Sequence, residues 1–340
     1  MAGDRHATYS RTVSDLETRP DERVCSAGDP SAGRIEVLEP RDVPLGGPRA
    51  MSVRRTLPQR ARSLVGAWCF LDHYGPDDVA ASAGMVVPPH PHTGLQTVSW
   101  LFEGEILHRD SLGSVASIRP GELNLMTAGR GISHSEQSLI PRPPRLHGVQ
   151  LWIALPDDAR STAPTFAHHA DLPVVAVGPA RVRVLVGELA GARSPAVVFS
   201  PVVGAQVELP GGSRAVVPVD PAFEHALLVD RGAVRIGGAP VPVSSLVYLP
   251  PGSAEITIES TDDSAGDDAR LILIGGVPFG EQIVMWWNFV GRSHEEIVAA
   301  RVQWQAGLDA GSERFGRVDG YDGGPLPAPE LPNVRLRPRD

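Results

Sequence analysis

The chain has 340 residues, 42% hydrophobic and 21% charged, a composition that excludes a disordered chain and leaves room for two ordinary cores. The formal net charge of −9 argues against a nucleic-acid footprint, because phosphate binding needs a basic face. All 31 basic residues are arginine, which removes Schiff-base and lysine general-base chemistry, and 36 glycines with 33 prolines suit short strands joined by turns.

Residues 1–33 carry Asp4, Asp15, Glu17, Asp21 and Glu22 among Ser and Gly, with no apolar signal core, and read as a flexible arm. From Arg34 the pattern becomes short apolar runs between turn residues, as at 35–38, 97–102 and 122–126. Such runs are too short for typical helices, and their flanking Gly and Pro predict strands. Cys25 and Cys69 share no close-spaced motif, so neither a disulfide framework nor a zinc knuckle is expected; Cys69, inside an apolar run, reads as a small buried hydrophobe.

A second set of runs follows Pro156-Asp157-Asp158, at 182–186, 196–199, 226–229, 234–236, 246–249, 254–258 and 271–274. Turns such as Asp230-Arg231-Gly232 and Pro250-Pro251-Gly252 separate them, which predicts an antiparallel barrel or sandwich and suggests a faint internal duplication. The apolar stretch 271–290 is broken by Pro278, Glu281 and Gln282, so no membrane span is expected and the cytoplasm is the default location. Ser293, then Glu295, Glu296 and apolar residues at helical spacing, predicts a helix within 291–308. The expected division is an arm over 1–33, domains over 34–157 and 165–290, the helix, and a flexible tail over 309–340.

The chemistry sits in two motifs. Gly84 is followed, after five residues, by His90-Pro91-His92, and residues i and i+2 of a strand point to one face. Downstream, Gly129-Arg130-Gly131-Ile132-Ser133-His134-Ser135-Glu136 repeats the i, i+2 spacing, with glycines that permit a tight turn into the strand. If both pairs face the interior of one barrel, His90, His92, His134 and Glu136 bind one divalent ion. Three imidazoles and a carboxylate leave exchangeable positions on Fe(II), Mn, Ni, Cu(II) or Zn, and the absence of thiolate disfavours Cu(I). His73 and His108 are read as pocket residues, His147 as packed or superficial, His168 and His169 as a solvated linker, and His294 as part of the helix cap. His225 has Phe223 and Leu227 where a partner would stand, so the second half is expected to be metal-free. Trp286-Trp287 is expected to pack between the domains.

These residues resemble the cupin superfamily and, within it, the pirin family. The stretches His90-Pro91-His92-Thr93-Gly94-Leu95-Gln96 and Met126-Thr127-Ala128-Gly129-Arg130-Gly131-Ile132-Ser133-His134-Ser135-Glu136 carry the resemblance. Leu71-Asp72-His73-Tyr74-Gly75-Pro76 and His108-Arg109-Asp110-Ser111 extend it. It is specific over 34–157 and looser to 308. Gln96 stands where other cupins have a ligating Glu; in pirins that slot is not a ligand, and the fourth ligand corresponds to Glu136. The resemblance implies an all-β bicupin, two cupin β-barrels packed face to face with a C-terminal helix, the second barrel degenerate. It favours Fe(2+) as the ion. It also implies one of two functions. The first is a quercetin 2,3-dioxygenase-type oxidoreductase acting on a flavonol or related enol with O2, in which Glu136 is a ligand and also a candidate catalytic base. The alternative is an iron-dependent redox-sensing regulator that binds a protein partner. A metal-binding cupin with a different substrate is a further option, and a monomer is expected throughout.

Overall fold

Alternation with a period of two builds the outer strands: Ala180, Val182 and Val184 are buried while Arg181 between them is exposed, and Ile256 and Ile258 alternate with less buried neighbours. The computed structural model describes residues 23–25, 35–45, 51–82, 84–261 and 268–336. The central strands Arg145–Ala154 and Ala269–Gly276 are instead buried on both faces nearly throughout, because each lies in a sheet covered on both sides.

Each half is a seven-stranded sheet facing a four-stranded one. In the first half the large sheet contains Leu95–Glu103, Arg145–Ala154 and Trp68–Asp78, and the small one runs Val86–His92, Ile132–Gln137, Ile106–Asp110, Val115–Ile118. In the second half Val202–Leu209, Ala269–Gly276 and Glu224–Arg231 are central to the large sheet. The two large sheets stack on one another. Trp68, Trp100, Val149 and Leu151 meet Leu185, Leu228, Ile272 and Ile274 in one buried cluster. This is the expected pair of barrels packed face to face.

The division between the halves is less simple than expected. Glu36–Leu38, assigned to the first domain, pairs with Leu246–Leu249 and completes the second barrel's sheet. Thr165–His169, assigned to the second, pairs with Leu123–Thr127 and completes the first. A strand edge is backbone and accepts any suitable neighbour, so apolar pattern alone does not say which sheet a short strand joins. His168 and His169 therefore belong to a strand rather than a linker, and His168 Nδ1 is 2.6 Å from Asn124 Oδ1.

The helix spans His294–Ala306 and is capped by Ser293, whose hydroxyl accepts from the Glu296 N–H at 3.3 Å. Residues 309–336 were expected as a flexible tail, but they pack on the first barrel. Phe315 and Leu336 are 1% exposed, the Phe315 carbonyl accepts from Ser133 Oγ at 2.9 Å, and Leu326 N–H donates to Pro89 O at 2.8 Å. Isolated apolar residues in a Gly/Pro-rich segment anchor it without any periodicity. Trp286 and Trp287 join this layer with Ile297, Trp304 and Phe315, and so lie beneath the helix and tail rather than between the barrels. The expected arm lies outside the described residues except for Arg23–Cys25, which pairs with Ile283–Trp286. Among the described residues no helix is long and apolar enough to cross a membrane.

Candidate metal centre

The two motifs lie on neighbouring strands. Val86–His92 pairs antiparallel with Ile132–Gln137, so that His134 stands opposite His90. The turn before the second strand depends on Gly129, whose φ is +52° and whose missing Cβ would lie 2.1 Å from the Thr162 carbonyl oxygen. Past His134 the register shifts, and Glu136 stands opposite Val87. Pro88 and Pro89 occupy the intervening stretch and offer no N–H to the ladder, which is where a bulge costs least.

His90, His92, His134 and Glu136 are each 0–2% exposed. The ring centroids of His90 and His134 are 4.4 Å apart, and each lies 4.9 Å from that of His92. His92 Nε2 is 3.0 Å from His134 Nε2. Burial lowers the pKa of all three: His90 to about 4, and His92 and His134 well below the usual imidazole range, with the neighbouring rings adding to the effect. At neutral pH the rings are uncharged, the form that coordinates metal. His90 Nδ1 is 2.9 Å from the Pro88 carbonyl and must donate to it, which leaves Nε2 with its lone pair. The donor atoms of the three rings lie within 4.8 Å of one another. Buried neutral imidazoles with converging nitrogens fit a divalent ion.

Glu136 is placed differently from the expectation of a simple foursome. Its carboxylate groups with His134 and His108 within the same 4.8 Å limit, not with His90 and His92. The register shift at Pro88-Pro89 accounts for the offset, since it leaves Glu136 opposite Val87 and, on its other side, His108. Burial pushes the Glu136 pKa up, opposed by His108 and by the Ser99 hydroxyl, which lies 3.2 Å from Oε1. Ser99 Oγ is also 3.0 Å from Gln150 Oε1, and with one hydrogen it donates to one of the two. Tyr74 is raised too, first by burial and then by the Glu136 charge.

The remaining sequence candidates separate. His108 adjoins His134, and their Nδ1 atoms are 3.3 Å apart. Gln96 turns away and donates to Thr127 Oγ1 and the Val197 carbonyl. His73 does not serve this pocket. It joins His147 and Asp230 in a separate buried group between the barrels, where Asp230 Oδ1 is 2.8 and 2.7 Å from the two rings and Arg270 donates to Oδ2 at 2.6 Å. His225 is buried and its pKa falls to about 4, chiefly from desolvation, while the second barrel's interior is filled by aliphatic residues such as Val184, Val207, Leu227 and Leu273. Sequence reasoning missed Asp230, Arg270, Ser99, Gln150 and Phe166. Phe166 stacks on His108 at 4.4 Å from across the supposed domain boundary, and no local pattern announces it. A cavity of about 810 Å³ opens beside the centre, lined by the Thr93-Gly94 and Gly129-Arg130 turns, Arg160, Arg314 and the helix, but not by the four candidate ligand side chains.

Comparison with known proteins matches the family model described as Pirin to residues 50–153 and that described as Pirin C-terminal cupin domain to residues 204–309. A Pseudomonas aeruginosa protein that carries the provisional name quercetin 2,3-dioxygenase is 45% identical over 298 residues, 88% of this chain and 91% of its own length. A Caulobacter vibrioides pirin-like protein is 39% identical over 264 residues, 75% of this chain and 88% of its own. The crystal structure of a quercetin 2,3-dioxygenase from Acinetobacter baumannii superposes with a TM-score of 0.82 at 40% identity, covering 89% of this chain and 98% of that one.

Proposed function

The chain belongs to the pirin family, and from that premise we propose that it binds one divalent metal ion through His90, His92, His134 and Glu136 and opens the ring of a flavonol or related enol with O2. The observation that carries the reading is the convergence of three buried, uncharged imidazoles, with His92 and His134 Nε2 atoms 3.0 Å apart. Iron(II) is the favoured ion, and it would supply a Lewis-acid and redox centre able to bring an enolate and O2 together. The protein's own part is to hold the three imidazole donors neutral, exclude water, and provide a base. Glu136 suits that last role: its raised pKa gives it more appetite for a phenolic proton than an exposed carboxylate has, and its Oε1 lies 3.2 Å from the Ser99 hydroxyl.

The test is direct. Protein loaded in turn with iron(II), manganese, nickel or copper(II) is mixed with quercetin in air, and the flavonol absorbance band is followed. Metal-dependent loss of the band, abolished in His134→Ala, is expected. No loss with any ion, or equal loss in His134→Ala, would sink the dioxygenase reading.

A second reading, an iron-dependent redox sensor that binds a protein partner, is favoured by one observation. All four side chains are 0–2% exposed, so admission of a flavonol requires the site to open. Quercetin that fails to perturb the spectrum of the loaded centre, together with partner capture that differs between Fe(II) and Fe(III), would favour the sensor.

A further inference from the structure

We propose that His108, backed by Asp110, positions His134 for the metal by fixing the proton of that ring on Nδ1, so that Nε2 keeps its lone pair. The inference rests on the metal-binding reading above and identifies the group outside the ligand set that sustains it. His108 and His134 lie on paired strands, with His108 opposite Glu136 and His134 opposite Asp110. Both His108 and Asp110 are 2% exposed.

The assignment follows from counting hydrogens along the chain of contacts. His108 Nε2 is 3.2 Å from Asp110 Oδ2. An ionised carboxylate has no proton to give, so the hydrogen in that contact belongs to His108 Nε2. In its uncharged form His108 carries that single proton on Nε2, and its Nδ1 is then an acceptor. It faces His134 Nδ1 at 3.3 Å, and the hydrogen between them must come from His134. A neutral His134 protonated at Nδ1 presents a bare Nε2, the atom that stands 3.0 Å from His92 Nε2.

Each link is held independently of the ion. Asp110 Oδ1 accepts from the Leu112 and Ser114 N–H groups at 2.9 and 3.0 Å, so the turn fixes the carboxylate. Phe166 stacks on the His108 ring at 4.4 Å with an interplanar angle of 16°, which fixes the ring plane. His108 has a donor atom close enough to His134 and Glu136 to invite a ligand role. Both of its nitrogens are engaged already, one by Asp110 and one by His134, so it acts on the metal through His134.

The test uses the full-length metal-free protein and Co(II) alone, with affinity and coordination read from the d–d absorption bands and folding from circular dichroism. His108→Asn places an amide oxygen near the former Nδ1 and can still accept from His134. His108→Leu is matched in size and cannot. We expect wild type to bind one Co(II), His108→Leu to bind the same single ion about 10- to 100-fold more weakly with shifted bands, and His108→Asn to recover most of the loss. Equal affinities and spectra in all three proteins overturn the inference. Abolished binding in both folded variants also overturns it, since that identifies His108 as a ligand. Failure of wild type itself to bind Co(II) instead overturns the metal reading on which the inference stands.

Discussion

His90, His92 and His134 enter the barrel as neutral rings because burial raises the free energy of the charged form more than any nearby group lowers it. In the unfolded chain the same rings take up a proton near pH 6.5. Between those two limits the unfolded state binds more protons than the folded one, so stability rises with pH. Their contribution is complete above about pH 6.5 and is lost as pH falls. For His90, with a folded value of about 4, the loss at pH 4 is about 3 kcal/mol. Glu136 runs the other way, since its raised pKa makes the ionised form the costly one as pH rises. The metal-free protein should therefore show a urea midpoint that drops between pH 6.5 and 4, and His90→Asn should flatten part of that drop. A wild-type midpoint unchanged over this range would contradict the neutral rings.

At the scale of elements, the centre depends on a turn that only glycine serves well. Gly129 combines a positive φ with a Cβ position 2.1 Å from the Thr162 carbonyl, and backbone does not yield as a side-chain tip would. Gly129→Ala should cost at least about 1–2 kcal/mol from the left-handed conformation alone, with the overlap added, and should lower the metal content of purified protein because Arg130 to His134 follow directly. Near-wild-type metal content and thermal midpoint in that variant would remove the turn from the argument. The i, i+2 pairing of His90 and His92 was legible in the sequence because a strand has a fixed period. The offset of Glu136 was harder to see, because a bulge at Pro88-Pro89 breaks that period on the facing strand. The helix was legible down to its Ser293 cap, since capping is a local interaction. The exchanged strands Glu36–Leu38 and Thr165–His169 and the packed 309–336 segment were not, since edge pairing and isolated anchors such as Phe315 leave no periodic trace.

Across the whole molecule, the contact between barrels is not purely apolar. The Trp68 indole N–H lies 3.2 Å from Val203 O and 3.1 Å from Gly275 O, the Gly66 N–H donates to Glu224 Oε1 at 2.5 Å, and Asp230 gathers His73, His147 and Arg270. Burial works against the Asp230 charge, yet the histidine contacts and Arg270 hold its pKa well below the usual carboxylate range. Removing one partner of such a pair strands the other in a dry setting. Asp230→Ala should cost about 3–5 kcal/mol in urea unfolding, and the double replacement of Asp230 and Arg270 should cost less than the sum of the singles. Strict additivity would show that the two do not act together.

The aliphatic filling of the second barrel also shapes how its sequence is free to change. Inside it, Val184, Val207, Leu227 and Leu273 answer only to volume and shape, so exchanges among Val, Ile and Leu should be tolerated there with modest effect. On its outer surface, Glu224 accepts from the Gly66 backbone, Asp230 and Arg270 meet His147, and Arg270 lies over Phe102, so these positions answer to the other barrel and have no such freedom. Saturation mutagenesis scored for folding should therefore divide this half by face: an interior permissive toward any apolar residue of similar size, beside a row of polar positions that admit almost nothing. On the reading that places the metal in the first barrel, the second serves mainly as its fitted back wall.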